Sequence, residues 1–160
     1  MPKLAPAPET TPERVETGTL NHEGIIGAAA AVEFLASLAS GDTRRTRLAR
    51  TLAELHTRGQ SLVRRLWNGL SGLPAVTLYG PPPTAARTPT VAFTFDGLSG
   101  DRVAERLAER AVFVSSGDFY ATTVVERLGV SDGLVRAGCA CYTTEEEVDR
   151  LIEGVGALSP

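Results

Sequence analysis

The sequence predicts an α+β fold in which two long helices precede a small, mostly antiparallel sheet with helices packed on one face. Three observations carry that expectation. Leu48, Leu52, Leu55, Leu62, Leu66 and Leu70 fall at three-, four- and seven-residue spacing, an apolar stripe along one long helix. After Pro74 the period shortens towards two, so residues 75–79 and 89–96 read as strands separated by the turn-forming run Gly80-Pro81-Pro82-Pro83. Near the end, Thr143 and Thr144 precede Glu146 and Glu147 at capping-box spacing, and Val148, Leu151, Ile152 and Val155 then form the stripe of a closing helix.

Residues 1–20 form a lead-in whose first twelve positions hold four prolines and no apolar period, which suits an extended path. Residues 21–73 are two connecting helices. The first runs from Asn21 to about Leu38 with Ile25, Ala28, Ala29, Val32 and Leu35 inward, and stops at Ser40-Gly41. The second starts near Asp42 as its cap, and Gly59 is a point where it would break or bend. Residues 74–160 form the α+β domain. After the two strands come a short helix over 101–110 with Val103 and Leu107 inward, a strand over 112–115, a helix over 119–128, and a strand over 134–141.

Composition excludes several classes. With 160 residues, 42% hydrophobic and 22% charged, the chain suits one globular core, so disorder, a collagen repeat and a coiled coil do not fit. A net charge of -3 disfavours a dedicated polyanion binder. Apolar runs are far shorter than the ~20 residues that cross a bilayer, and no basic-then-apolar signal opens the chain. The expectation is a cytoplasmic protein that binds neither membrane nor nucleic acid. No glycine fingerprint joins a first strand to a helix, as a parallel dinucleotide fold would require.

Two motifs suggest binding. Gly18 and Thr19 sit in Glu16-Thr17-Gly18-Thr19-Leu20-Asn21-His22-Glu23-Gly24, just ahead of the first helix, where free backbone N–H groups, a hydroxyl and the helix dipole suit a phosphate. A plain helix cap by Thr19 or Asn21 explains the same residues. Arg136, within Leu134-Val135-Arg136-Ala137-Gly138, places a planar guanidinium on a strand, which suits a two-point grip on a carboxylate. An edge-strand arginine reaching to water is the competing account.

Other constellations point to less. Seven arginines between Arg44 and Arg65 face only Asp42 and Glu54, a local charge of +5, but with no lysine and one aromatic, Trp67, the stretch fits a wet helix face or a subunit contact better than a nucleic-acid surface. His22, His56, Cys139 and Cys141 match no metal-site spacing, so no metal is expected. The two cysteines, two apart on a strand, would hold their Cβ atoms roughly 6.5 to 7 Å apart, too far for a disulfide, which needs ~3.8 Å.

Taken in order, Glu16 to Gly24, then Val112-Phe113-Val114-Ser115-Ser116-Gly117, then Leu134 to Gly138 running into Tyr142-Thr143-Thr144-Glu145-Glu146-Glu147-Val148-Asp149-Arg150-Leu151, the sequence resembles the C-terminal part of a class V aminotransferase, on the cysteine desulfurase-like branch. The resemblance implies the C-terminal small domain of a fold-type I enzyme, pyridoxal 5'-phosphate as the cofactor of the intact enzyme, an amino-acid-type substrate and a homodimer. It gives Gly18 and Thr19 a place beside the cofactor phosphate of the partner protomer. It gives Arg136 the substrate α-carboxylate.

The departures also matter. The family's Schiff-base lysine lies in a large N-terminal domain, and the only lysine here is Lys3, inside the lead-in. No residue of the chain is therefore expected to be catalytic, and the chain is expected to be a truncated, inactive piece on its own. True desulfurases carry a persulfide cysteine on the loop after the strand that corresponds to 112–115, where this chain reads Ser116-Gly117-Asp118-Phe119-Tyr120-Ala121. Cys139 and Cys141 are expected to pack as small hydrophobes. The alternatives are a stand-alone binding or regulatory module and, less fitting, a nucleic-acid binder using the arginine helix.

Overall fold

The computed structural model describes residues 5–16 and 18–159. The chain forms two compact units, one ending at Ala53 and the other beginning at Glu54.

In the first unit, residues 13–15 make a 3-10 turn, closed by the Arg14 N–H to Thr10 O (2.8 Å) and the Val15 N–H to Pro12 O (3.0 Å), so the lead-in winds where an extended path was expected. Helix α1 spans His22–Ser37, and the Asn21 side chain accepts the Gly24 N–H at 2.8 Å as its cap. The expected inward stripe is covered only in part: Ile25 is 54% exposed and Val32 39%, while Leu35 is half-buried. A helical period marks an apolar face without stating what packs on it. Helix α2 spans Arg44–Ser71. Its cap is Thr43, whose hydroxyl accepts the Thr46 N–H at 3.1 Å, one residue beyond the expected Asp42. The Thr51 hydroxyl donates to Leu35 O at 2.9 Å, and Arg44 pairs with Glu33 at 2.8 Å.

In the second unit, α2 continues unbroken through Gly59. A Cβ there would stand 3.2 Å from the Pro89 ring, so the glycine admits a close neighbour rather than a bend. The sheet comprises β1 (Val76–Tyr79), β2 (Thr90–Phe95), β3 (Ser115–Gly117) and β4 (Leu134–Gly138), in the order β1-β2-β4-β3 with every pair antiparallel. Helices α3 (Gly100–Ala108) and α5 (Glu145–Gly156) and the end of α2 supply one layer. Val91, Phe93 and Phe95 of β2 and Val135 and Ala137 of β4 alternate onto that layer and meet Leu62, Leu66, Leu70, Leu107, Val148 and Val155. The expected α+β architecture, with helices on one sheet face, is what forms.

Three element boundaries differ from expectation. The strand expected at 112–115 pairs only from Ser115, because Ala111 takes a left-handed φ of 56° and the Val112 N–H returns to Leu107 O at 3.0 Å as part of the helix ending. Val112 and Val114 still pack on the core, which gives an alternating pattern without a ladder. The helix expected at 119–128 is α4, Thr122–Arg127, since Phe119 and Tyr120 are left-handed. The last strand ends at Gly138, where the Ala140 N–H turns to the Thr143 hydroxyl (2.9 Å), so the cysteines do not share a strand face. At α5 the capping box forms as expected between Thr144 and Glu147.

Part of the arginine run is engaged inside the unit. Arg65 grips both oxygens of Asp149 at 2.7 Å and reaches Glu145 at 3.1 Å, and Arg58 donates to Thr143 O at 2.6 Å. The hydrogen bonds from Arg65 hold the Asp149 carboxyl below its ordinary value of 3.8. A carboxyl depressed in the folded state stabilises the fold above its unfolded pKa and loses that contribution as pH falls through the folded value. The Tm difference between wild type and Arg65→Gln is therefore expected at pH 7 and should shrink below about pH 4; a difference that grew in acid, by calorimetry, would contradict the pairing.

Candidate functional site

Arg136 occupies the middle of β4, itself an inner strand flanked by β2 and β3. Its neighbours Val135 and Ala137 point into the core, so alternation turns Arg136 to the open face of the sheet. Directly across from it stand Ala92 on β2 and Ser115 on β3. Both are small and neither is acidic, which leaves room and charge for a ligand. Among the described residues the guanidinium makes no hydrogen bond or ion pair; the Phe119 ring lies against it, with the centroid 4.0 Å from Cζ. The edge-strand account of Arg136 is corrected by its inner position.

A cavity of about 490 Å³ has Arg136, Ser115 and Tyr142 in its lining, together with Leu66, Val148 and Leu151 of the helix layer. That volume suits a small molecule, and Arg136, Arg150, Glu147, Ser115, Tyr142 and Thr143 give its walls a polar share close to the apolar one. A cation fixed on a paired strand can hold a carboxylate through two parallel N–H donors. Ser115 adds a hydroxyl on the same face.

The cysteines divide between two environments. Cys139 is half-buried, and burial pushes its thiol up, so it stays protonated and unreactive near neutral pH. Cys141 is exposed. With one equivalent of an aromatic disulfide reagent at pH 7, Cys141 is expected to react at least about tenfold faster than Cys139; faster labelling of Cys139, by peptide mapping, would overturn this ranking. No group of three or more metal-ligating side chains gathers among the described residues.

Gly18 and Thr19 lie in the first unit and Arg136 in the second. Gly18 and Thr19 are exposed, and nothing stands within 4 Å of where a Gly18 Cβ would be. Of the two caps the sequence left open, Asn21 is the one that forms. It satisfies the Gly24 N–H, while the His22 N–H turns back to Leu20 O, and the Thr19 hydroxyl has no hydrogen bond among the described residues. Thr17 of the same motif and Lys3 lie outside the described residues.

Phe119 is the member of the site that sequence reasoning missed. A helical start was expected there, although Asp118 is a strong turn former and gave a usable signal. Asp118 accepts the Tyr120 N–H at 3.0 Å and the Thr122 hydroxyl at 2.8 Å, and these bonds hold its carboxyl below the usual range.

The family described as aminotransferase class-V matches residues 7–151. An uncharacterised protein of Mycobacterium tuberculosis is 33% identical over 153 residues, covering 93% of this chain and 37% of its own length. A cysteine desulfurase of Pectobacterium atrosepticum is 31% identical over 145 residues, 91% of this chain and 32% of its own. Among solved structures, the apo cysteine desulfurase of Thermococcus onnurineus superposes with a TM-score of 0.76 at 32% identity, over 91% of this chain and 33% of that one. The desulfurase CsdA of Escherichia coli gives 0.75 at 27%, over 92% and 33%. The chain spans about a third of the length of these relatives. Its helices and four-stranded antiparallel sheet are the arrangement of the corresponding part of those enzymes.

Proposed function

The chain belongs to the aminotransferase class-V family, and from that premise we propose that it supplies the C-terminal part of a cysteine desulfurase-like enzyme acting on an amino-acid-type substrate. Pyridoxal 5'-phosphate is the cofactor of the intact family enzymes. In this reading residues 1–20 are the lead-in with the Gly-Thr pair, 21–73 the connecting helices, and 74–160 the C-terminal domain. The enzyme is a cytoplasmic homodimer. For the membrane, the observation is that no helix of the described residues is long and apolar enough to cross one.

One observation carries the proposal. Arg136 has a guanidinium without a hydrogen-bonding partner among the described residues, stands on an inner strand between Ala92 and Ser115, and is in the lining of a cavity of about 490 Å³. It holds the substrate carboxylate, and the paired strand fixes the direction of approach. The cofactor fits the described residues in part. The Thr19 hydroxyl, without a hydrogen bond among the described residues, and the open backbone at Gly18 suit a phosphate oxygen of the partner protomer's cofactor, whereas the only lysine of the chain, Lys3, lies outside the described residues. When bound, the cofactor supplies the electron sink for chemistry at the substrate α-carbon. The 160-residue chain alone is inactive in this reading, because a separate segment must bring the lysine.

The test is the mass of the native polypeptide that yields the 112–136 peptides from a source lysate, by immunoblot and mass spectrometry. A species near three times 16.9 kDa supports the proposal. A 16.9 kDa species without a lysine-bearing partner would sink it and favour a stand-alone binding or regulatory module.

A further inference from the structure

Arg136 is held by an aromatic ring instead of an acid, and that choice has chemical consequences. The five N–H donors of a guanidinium lie in its plane, so a carboxylate neighbour would occupy the donor fork and cancel the charge. Arg136 Cζ sits over the Phe119 ring, 4.0 Å from its centroid, and no acceptor among the described residues occupies the fork. A free arginine must give up the rotamer freedom of a long side chain when it binds, and a stacked one has already given up much of it.

The loop that carries the ring is constrained. Phe119 and Tyr120 have φ of 55° and 58°, a conformation that bulky residues rarely adopt, and two in succession require support. Asp118 gives that support by accepting the Tyr120 N–H and the Thr122 hydroxyl, which ties the loop to the first residue of α4. On the other side, Gly117 pairs with Leu134 in the β3–β4 ladder. The ring is thus anchored from both ends of its loop, above an arginine whose backbone is held by two strand pairings.

We propose that Phe119 is a positioning residue for Arg136: its ring fixes the guanidinium plane so that a carboxylate is met edge-on by two pre-aligned donors. This rests on the reading of Arg136 as a carboxylate clamp. Phe119 does not touch the reacting atoms and acts only through the arginine.

The test uses the 160-residue chain labelled with ¹⁵N, following the Arg136 Nε–Hε resonance during titration with sodium acetate against sodium chloride at equal ionic strength. In wild type the Hε proton is expected upfield, shielded by the ring, and acetate should move it saturably. Phe119→Leu should abolish the upfield position and weaken acetate binding three- to tenfold, and Phe119→Tyr should keep both properties within about twofold, as face stacking requires. The backbone amide spectrum of each variant reports whether it folds, and Phe119→Ile replaces the leucine variant if that one does not. Saturable binding that is equal in wild type and Phe119→Leu would overturn the positioning role and leave the clamp standing. No saturable response in wild type up to about 200 mM acetate, far above a millimolar dissociation constant, would overturn the clamp and this proposal with it.

Discussion

Replacing Arg136 by glutamine in the native polypeptide is expected to lower kcat/KM for its amino-acid substrate by about a hundred- to a thousandfold, roughly 3 to 4 kcal/mol of transition-state stabilisation. The size follows from what the substitution removes. A charge-assisted, two-point hydrogen bond disappears, and glutamine can offer one neutral donor from a shorter side chain. Neither Ala92 nor Ser115, the cross-strand neighbours, can take over the cationic role. Arg136→Lys retains the charge without the planar fork and should recover only part of the loss. The fold should survive both changes, because the side chain lies on the open face of the sheet and anchors no described element by a hydrogen bond. Steady-state kinetics with matched circular dichroism decides the matter. A loss below tenfold for Arg136→Gln in a folded variant would show that the carboxylate is bound elsewhere.

What the sequence made legible was largely local. The capping box at Thr144 and Glu147 and the alternation of Val91, Phe93 and Phe95 depend on spacing within one element, and both appear where expected. The direction of Arg136 is legible for the same reason, since Val135 and Ala137 fix which face is inward. Features set by contacts between distant segments were not legible. Gly59 suggested a bend because nothing local reveals Pro89 packed against it. Val112 and Val114 alternate as a strand does, yet a helix ending claims the Val112 N–H and pairing begins three residues later. The α1 stripe shows the limit most clearly, since Ile25 and Val32 are apolar at helical spacing and exposed all the same. At the site, Arg136 could be named from its strand, whereas for Phe119 Asp118 signalled only a turn, because two left-handed aromatic residues in succession contradict local preference.

Truncating Phe93 to alanine is expected to destabilise the fold by about 4 kcal/mol and lower Tm by roughly 8 to 16 °C. Phe93 has no exposed surface and lies on β2 between Leu78 of β1 and Val135 of β4, beneath the layer formed by α2, α3 and α5. Its removal costs the transfer free energy of the ring and the lost contacts of its lining, because neighbours held on two ladders and three helices cannot close the space. Total stabilities run at about 5–15 kcal/mol, so this single change consumes a large share. Phe93→Leu, which refills much of the volume, should cost about 1 to 2 kcal/mol. Phe113→Ala is the internal control: that ring is 82% exposed, and its loss should stay within about 0.5 kcal/mol. Urea unfolding of the three variants ranks them. If Phe93→Ala and Phe113→Ala were equally mild, the core around β2 would be placed wrongly, and the rigid strand beneath Arg136 would lose its physical basis.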